Sequence, residues 1–73
     1  MIDFNSSGKQ GFYRIVVQGR IDASWLEWFE KMKLSFGEGK TIMEGYVSDQ
    51  SELHGLLNRI RDLNLPLLLV QFL

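Results

Sequence analysis

The residues best suited to chemistry lie in one stretch, Asp49 to Leu63, which reads DQSELHGLLNRIRDL and holds the only histidine of the chain. Asn58 and Arg61 follow His54 at helical spacing, which places one imidazole and two hydrogen-bond donors on a polar flank. A general base would also need a substrate pocket and an orienting partner, and the sequence indicates neither. With one histidine, no cysteine and no HExxH spacing, a metal site is not expected. We predict a solvated histidine, no catalytic residue and no cofactor.

Gly55, beside that histidine, is the fourth residue that we assign to the polar flank, and it is the second unusual residue of this helical stretch. On a helical wheel it lies nearly opposite the apolar face formed by Leu53, Leu57 and Ile60. Glycine inside a helix costs about 1 kcal/mol relative to alanine. Gly55 is therefore either a tolerated weak point or a place where a partner molecule approaches the helix.

Two further segments resemble parts of known catalytic or binding loops. The loop Gly37–Lys40 is glycine-rich, but a phosphate-binding P-loop needs a strand before it and a helix after it, and this loop lies between two predicted strands. The segment VVQGR, residues 16–20, resembles the first-strand motif of acylphosphatases. Their phosphate-binding arginine follows the position of Gln18 by five residues, where this chain has Ala23. A small hydrolase is therefore a less favoured alternative.

Composition limits the protein to one small domain with a modest core, because the chain has 73 residues and is 45% hydrophobic. Nine acidic and eight basic side chains leave a net charge of −1, which argues against nucleic acid as a partner. The longest apolar run, residues 65–70, is too short for a membrane helix and contains a proline. The first residues lack the features of a signal peptide. We therefore expect a cytoplasmic protein without membrane contact.

The first half of the chain predicts a strand, a short helix and a hairpin. Residues 13–21 alternate between apolar and polar positions, as in a half-buried strand. Asp22 and Ser24 are both candidate helix N-caps, the latter in capping-box spacing with Glu27. Four large side chains after them share a stripe that we expect to press onto the sheet: Trp25, Trp28, Phe29 and Met32. The segment KLSFGEGKTIMEGYV then reads as a hairpin, with Gly37 and Gly39 providing positive φ at the turn.

The second half predicts a helix and a last strand. Asp49 is the expected N-cap, with Glu52 in capping-box spacing, and Asn64 ends the helix before a strand over residues 67–73. The order of elements is βαββαβ, which predicts an α+β, ferredoxin-like split βαβ sandwich with a four-stranded antiparallel sheet and both helices on one face. We assign residues 1–10 to a flexible tail and residues 11–73 to this single domain.

The stretches YRIVVQGRID and DQSELHGLLNRIRDLNLPLLLV, with the W…WF segment between them, resemble a widespread group of small bacterial and archaeal proteins without assigned function. The similarity covers Tyr13 to Val70, and its most specific part is the DQxxLHGLLxxIRDL-type helix. The resemblance implies a single compact domain of about 70 to 75 residues. It implies no activity, cofactor or catalytic residue.

The bare face of the predicted sheet is the best candidate for a function. Alternation places the following residues on that face: Arg14, Val16, Ile42, Tyr46, Leu69 and Leu73. A mixed patch with an apolar centre predicts a protein partner, and an uncharged last strand would be a hazard as an open edge. We predict a homodimer that pairs by this face or edge. The alternatives are a sensor that binds a small ligand beside His54, Asn58 and Arg61, a module for another protein, and an RNA-binding domain, for which the face has too few aromatics.

Overall fold

The computed structural model describes residues 10–73, which form an α+β fold of four strands and two helical segments. In chain order these are β1 (Gly11–Gln18), a 3₁₀ helix (Ala23–Phe29), β2 (Lys33–Gly37), β3 (Lys40–Val47), α1 (Gln50–Asp62) and β4 (Leu67–Phe72). The α+β class is as predicted. Apart from Gln10, the tail predicted for residues 1–10 lies outside the described residues.

The four strands form one antiparallel sheet in the order β2-β3-β1-β4. Ile15 at the centre of β1 lies opposite Met43 on one side and Val70 on the other, so these three side chains point to the same face. Both helical segments pack on that face, because Phe29, Leu53 and Ile60 belong to the same buried cluster as the inward side chains of β1 and β3. The opposite face has no helix over it among residues 10–73.

Strand β1 ends earlier than the alternation predicted, at Gln18 instead of Ile21. Gly19 has a φ of 90°, which interrupts the extended backbone. Its carbonyl accepts a hydrogen bond from Thr41 Oγ1 at 2.7 Å, which satisfies the hydroxyl of this buried side chain. Ile21 is still buried, so the period-two pattern identified a core residue while misplacing the end of the strand.

The first helix is a 3₁₀ helix, and this changes which side chains reach the core. With three residues per turn, Phe29 and Met32 stand on the same side, and both are buried. Trp25 and Trp28 meet edge to face on the other side, with ring centroids 4.5 Å apart, and each is 36% exposed. The prediction that all four press onto the sheet is therefore wrong for the tryptophans, because it assumed 3.6 residues per turn.

The cap of that helix is Asp22 and not Ser24. The Asp22 carboxylate accepts a hydrogen bond from the backbone N–H of Ser24 at 3.4 Å, and the predicted Ser24 capping box does not form. The carboxylate satisfies an N–H that the helix itself leaves unpaired, which is the role of an N-cap residue.

The hairpin between β2 and β3 is present, with a turn of two residues, Glu38 and Gly39. Both have positive φ, 54° and 73°, which is the condition of a type I′ turn. Gly37, which we expected to need positive φ, does not have it. Glu38 must therefore adopt a left-handed backbone conformation, which is less favourable for a residue with a Cβ than for glycine.

Helix α1 begins and ends as predicted. Asp49 accepts a hydrogen bond from the N–H of Glu52 at 2.8 Å, as an N-cap should. Asn64 has a φ of 62°, and the N–H groups of Asn64 and Leu65 donate to the carbonyls of Arg61 and Ile60. This pair of bonds is a Schellman motif, which ends the helix and sets the direction of the chain toward β4.

Strand β4 contains a bulge that the sequence did not reveal. Leu69 lies opposite Val16, but Leu67, not Leu68, lies opposite Val17. Leu67 therefore packs against the core, while Leu68, which strict alternation with Val70 would place toward the helices, is exposed. The extra residue shifts every side chain before it by one face.

Candidate functional site

The residues predicted to form an interaction surface occupy one face of the sheet, opposite the helices. Val16 is opposite Ile42 in β3 and Leu69 in β4, so these three side chains form a row across the sheet. We call this side of the sheet the outer face. The same alternation and register place the other predicted members on it: Arg14, Tyr46 and Leu73.

An ion pair lies beside that apolar row. Arg14 Nε donates to a carboxylate oxygen of Glu44 at 2.6 Å, and the two residues are directly opposite each other in β1 and β3. Both side chains are about 40% exposed, so the pair adds little to stability. Its consequence for the surface is that two opposite charges neutralise each other locally.

Phe12 also belongs to the outer face and was missed by the sequence reading. It is opposite Tyr46, the two rings meet edge to face with centroids 5.6 Å apart, and Phe12 is 57% exposed. The signal was available, because Phe12 alternates with Arg14 and Val16. It was lost because the strand was taken to begin at Tyr13.

Strand β4 is the most exposed apolar element of the sheet. It lies at the edge of the sheet, and its large side chains are exposed on both faces: Leu69 is 40% exposed on the outer face, and Phe72 is 46% exposed on the helix face. Leu68 at the bulge is also 46% exposed. No charged residue occurs between Leu65 and Leu73. This strand and the outer face are continuous through Leu69 and Leu73.

The polar flank predicted on α1 lines a groove between α1 and the start of β4. His54, Asn58 and Arg61 all border this groove, which has a volume of about 690 Å³. Its other walls are mainly apolar and include Leu57 and Leu67. The structure therefore brings three of the four flank residues together against an apolar surface.

Gly55, the fourth flank residue, lies on a different side of α1. It borders a second groove, of about 570 Å³, between α1 and the 3₁₀ helix. Trp28 and Arg59 line the same groove, where Arg59 donates to the Trp28 carbonyl at 2.9 Å and lies over its ring. A Cβ at Gly55 would have nothing within 4 Å, so nothing in the described part of the chain requires glycine there.

No group of three or more metal-binding side chains is found within residues 10–73. None of the helices in that range has the length and apolar character needed to cross a membrane. What the site offers is an apolar edge strand, a mixed sheet face and two surface grooves.

The architecture of residues 10–73 defines a small α+β domain with helices on one sheet face and none on the other. The chain belongs to the family described as domain of unknown function DUF8691, whose model matches residues 12–71. No match is found among curated proteins or among solved structures. The family match spans all four strands and both helical segments almost to their ends.

Proposed function

We propose that this chain is a ferredoxin-like interaction module that forms a homodimer by pairing β4 with β4 of a second copy. Read from the other side, the strand order is β4-β1-β3-β2, in which each strand–helix–strand unit is split by a strand of the other unit. The observation that carries the proposal is β4 itself, an uncharged edge strand with exposed apolar side chains on both faces.

Backbone geometry supports edge pairing, because β4 has hydrogen-bonding groups that point away from β1. The N–H of Leu73 donates to the Phe12 carbonyl at 2.8 Å, so this position faces β1. Successive residues of a strand point their backbone groups to alternate sides. The N–H and C=O groups of Val70 therefore point away from β1, toward an edge that no other strand within residues 10–73 covers and where a second strand can bind them.

The two edges of the sheet are protected to different degrees. Strand β2, at the opposite edge, is one residue shorter than β4 and begins with Lys33. Short length and lysine are common devices that prevent edge-to-edge association. Strand β4 has neither charge nor proline within Leu67–Phe72. Of the two edges, β4 is therefore the one less protected against pairing with another strand.

A second copy of this chain is a suitable cover because an antiparallel β4 pair is self-complementary. A twofold axis across the strand would place the same surface of each copy against the other, as in an isologous interface. An uncharged strand carries no like charges that would meet across that axis. The paired sheets would also join their outer faces through Leu69 and Leu73, which extends the buried apolar area beyond the edge.

The test is sedimentation equilibrium of the wild type and of Leu68→Lys over micromolar to millimolar concentration. Leu68 is exposed and packs against no core residue, so a lysine there places a charge on the edge without disturbing the fold. We expect a dimer for the wild type and a dissociation constant at least roughly tenfold higher for the variant.

Two matched variants identify the surface. Phe36→Lys makes a similar change on exposed β2 at the opposite edge and should leave the dimer intact. Tyr46→Lys changes the outer face on β3, away from β4, and should have a small effect. A wild type that remains a monomer at millimolar concentration would rule out the proposal. Loss of the dimer in Tyr46→Lys but not in Leu68→Lys would replace edge pairing by pairing through the outer face.

A further inference from the structure

We infer that the groove between α1 and the start of β4 binds a small amphipathic carboxylate, with Arg61 as the partner of the carboxylate group. This inference does not depend on self-association, because the groove is bordered by α1 and by residues 64–67 of a single chain. Its ligand class follows from the shape, the lining and the charge of the groove.

The lining separates into an apolar part and a polar part. Leucine, isoleucine and proline side chains provide most of the surface, among them Leu57, Leu65 and Pro66. The polar part consists of donors along one side of α1, His54, Asn58 and Arg61. An apolar wall with a few polar groups is typical of sites for small organic molecules, where the polar groups orient the ligand.

The charged side chains that line the groove favour an anionic ligand. Among residues 10–73, no aspartate or glutamate lines it, so within that range a carboxylate would meet no like charge. Arg61 forms no ion pair with any residue in the range 10–73, where the ion pairs are Arg14–Glu44 and Lys31–Glu52. A guanidinium binds a carboxylate through two parallel hydrogen bonds. Within the described part of the chain, Arg61 is thus a cation without an ion pair at the border of an apolar groove.

Arg59 shows the contrast on the other side of the same helix. Its guanidinium is already held by the Trp28 carbonyl and ring, and its groove contains the carboxylates of Glu27, Glu30 and Glu52. Lys31 also lines that groove but pairs with Glu52, so the two remaining carboxylates disfavour an anion there. The two arginines therefore form a matched pair for an experiment, one predicted to bind and one not.

The length of the groove limits the size of the ligand. The rise of α1 from His54 to Arg61 is about 10 Å at 1.5 Å per residue, which accommodates an acyl chain of about eight carbons. A purely inorganic anion would leave the apolar wall in water. We therefore expect a medium-chain or arylalkyl monocarboxylate in preference to phosphate or acetate.

The test is a titration of ¹⁵N-labelled protein with sodium octanoate, followed by amide chemical shifts, with n-octanol and acetate as comparison ligands. We expect octanoate to shift residues 54–61 and 64–67 and to bind several-fold more tightly than either comparison ligand. Arg61→Gln should weaken octanoate binding roughly tenfold and leave n-octanol binding nearly unchanged. Arg59→Gln should leave both unchanged. Arg61 is exposed, so the variant should keep its fold, which the dispersion of the spectrum checks.

Several results would overturn the inference: equal binding of octanoate and n-octanol, an unchanged affinity in Arg61→Gln, or shifts confined to the outer face. The same titration in Leu68→Lys separates this inference from the proposed dimer. Binding retained in a monomeric Leu68→Lys would support a site within one chain. Binding lost in that variant would contradict a groove that is complete in a single copy.

Discussion

Two glycines in this domain, Gly45 and Gly55, lie in opposite surroundings: one is tightly packed and the other faces open space. A Cβ at Gly45 would lie 2.6 Å from Met32 Sδ and 2.9 Å from the Lys31 carbonyl, because the chain leaving the 3₁₀ helix crosses directly over β3. A Cβ at Gly55 would meet nothing. The same substitution at the two positions should therefore change stability in opposite directions.

We predict that Gly55→Ala stabilises the protein. Alanine lowers the cost of the helical conformation, so the free energy of unfolding should rise by about 0.5–1 kcal/mol. Urea denaturation monitored by tryptophan fluorescence would measure this. If the variant folds normally and gains no stability, the helix propensity argument fails at this position. A loss of dimerisation or ligand binding would instead assign Gly55 a role in recognition.

We predict that Gly45→Ala destabilises the protein by about 1–3 kcal/mol, the usual cost of inserting a methyl group into a packed site. The nearest flexible atom, Met32 Sδ, can move, but the Lys31 carbonyl belongs to the backbone. The same denaturation experiment checks this. Met32→Ala in the Gly45→Ala background should recover little, because the backbone contact remains. Full recovery would show that only the methionine side chain stands in the way.

At the scale of elements, the turn between β2 and β3 is destabilised by the backbone conformation of one residue, Glu38. Glu38 has a φ of 54°, a left-handed conformation that costs a residue with a Cβ about 1–2 kcal/mol and that asparagine tolerates better. The turn is held by the ladder between β2 and β3 on either side. The strand pairing therefore offsets an unfavourable turn residue.

We predict that Glu38→Asn raises the free energy of unfolding by about 0.5–1 kcal/mol, since Asn-Gly is a preferred type I′ sequence. Glu38→Gln is the matched control: it also removes the charge but keeps a side chain poorly suited to positive φ. Thermal unfolding of the two variants compares them directly. Equal gains in both would attribute the effect to charge and not to backbone conformation.

At the scale of the whole molecule, the sheet is asymmetric in how its surfaces are covered. One face carries both helical segments, and the other carries the outer-face patch. One edge begins with a lysine, and the other edge carries no charged residue. The uncovered surfaces meet at β4, which is why the proposed dimer forms there and not at β2.

We predict that the thermal midpoint of the wild type rises with protein concentration. Association stabilises the folded state by mass action, so a hundredfold increase in concentration should raise the midpoint by a few degrees. Differential scanning calorimetry at several concentrations measures this shift, and the midpoint of Leu68→Lys should be nearly constant over the same range. A wild-type midpoint that does not depend on concentration would contradict dimerisation coupled to folding.

Local features of the chain were sufficient to predict most elements. The Asp49 cap, the Asn64 end of α1 and the hairpin are encoded by neighbouring residues, because capping and turn formation involve hydrogen bonds over a few positions. Alternation likewise predicted which side chains of β1 and β3 share the outer face, since it depends only on the pleat of each strand.

Contacts between distant segments decided the rest. The bulge at Leu68, the close crossing over Gly45 and the 3₁₀ winding that exposes Trp25 and Trp28 all occur where one segment must fit against another. The groove beside Arg61 likewise exists only because the chain after Asn64 turns back along α1. The sequence by itself determined where α1 begins and ends, where the turn lies and which side chains of a strand share a face. Tertiary packing decided the strand register, the winding of the first helix and which apolar surface stays exposed to water. These three features depend on contact energies between distant segments, which no local pattern contains.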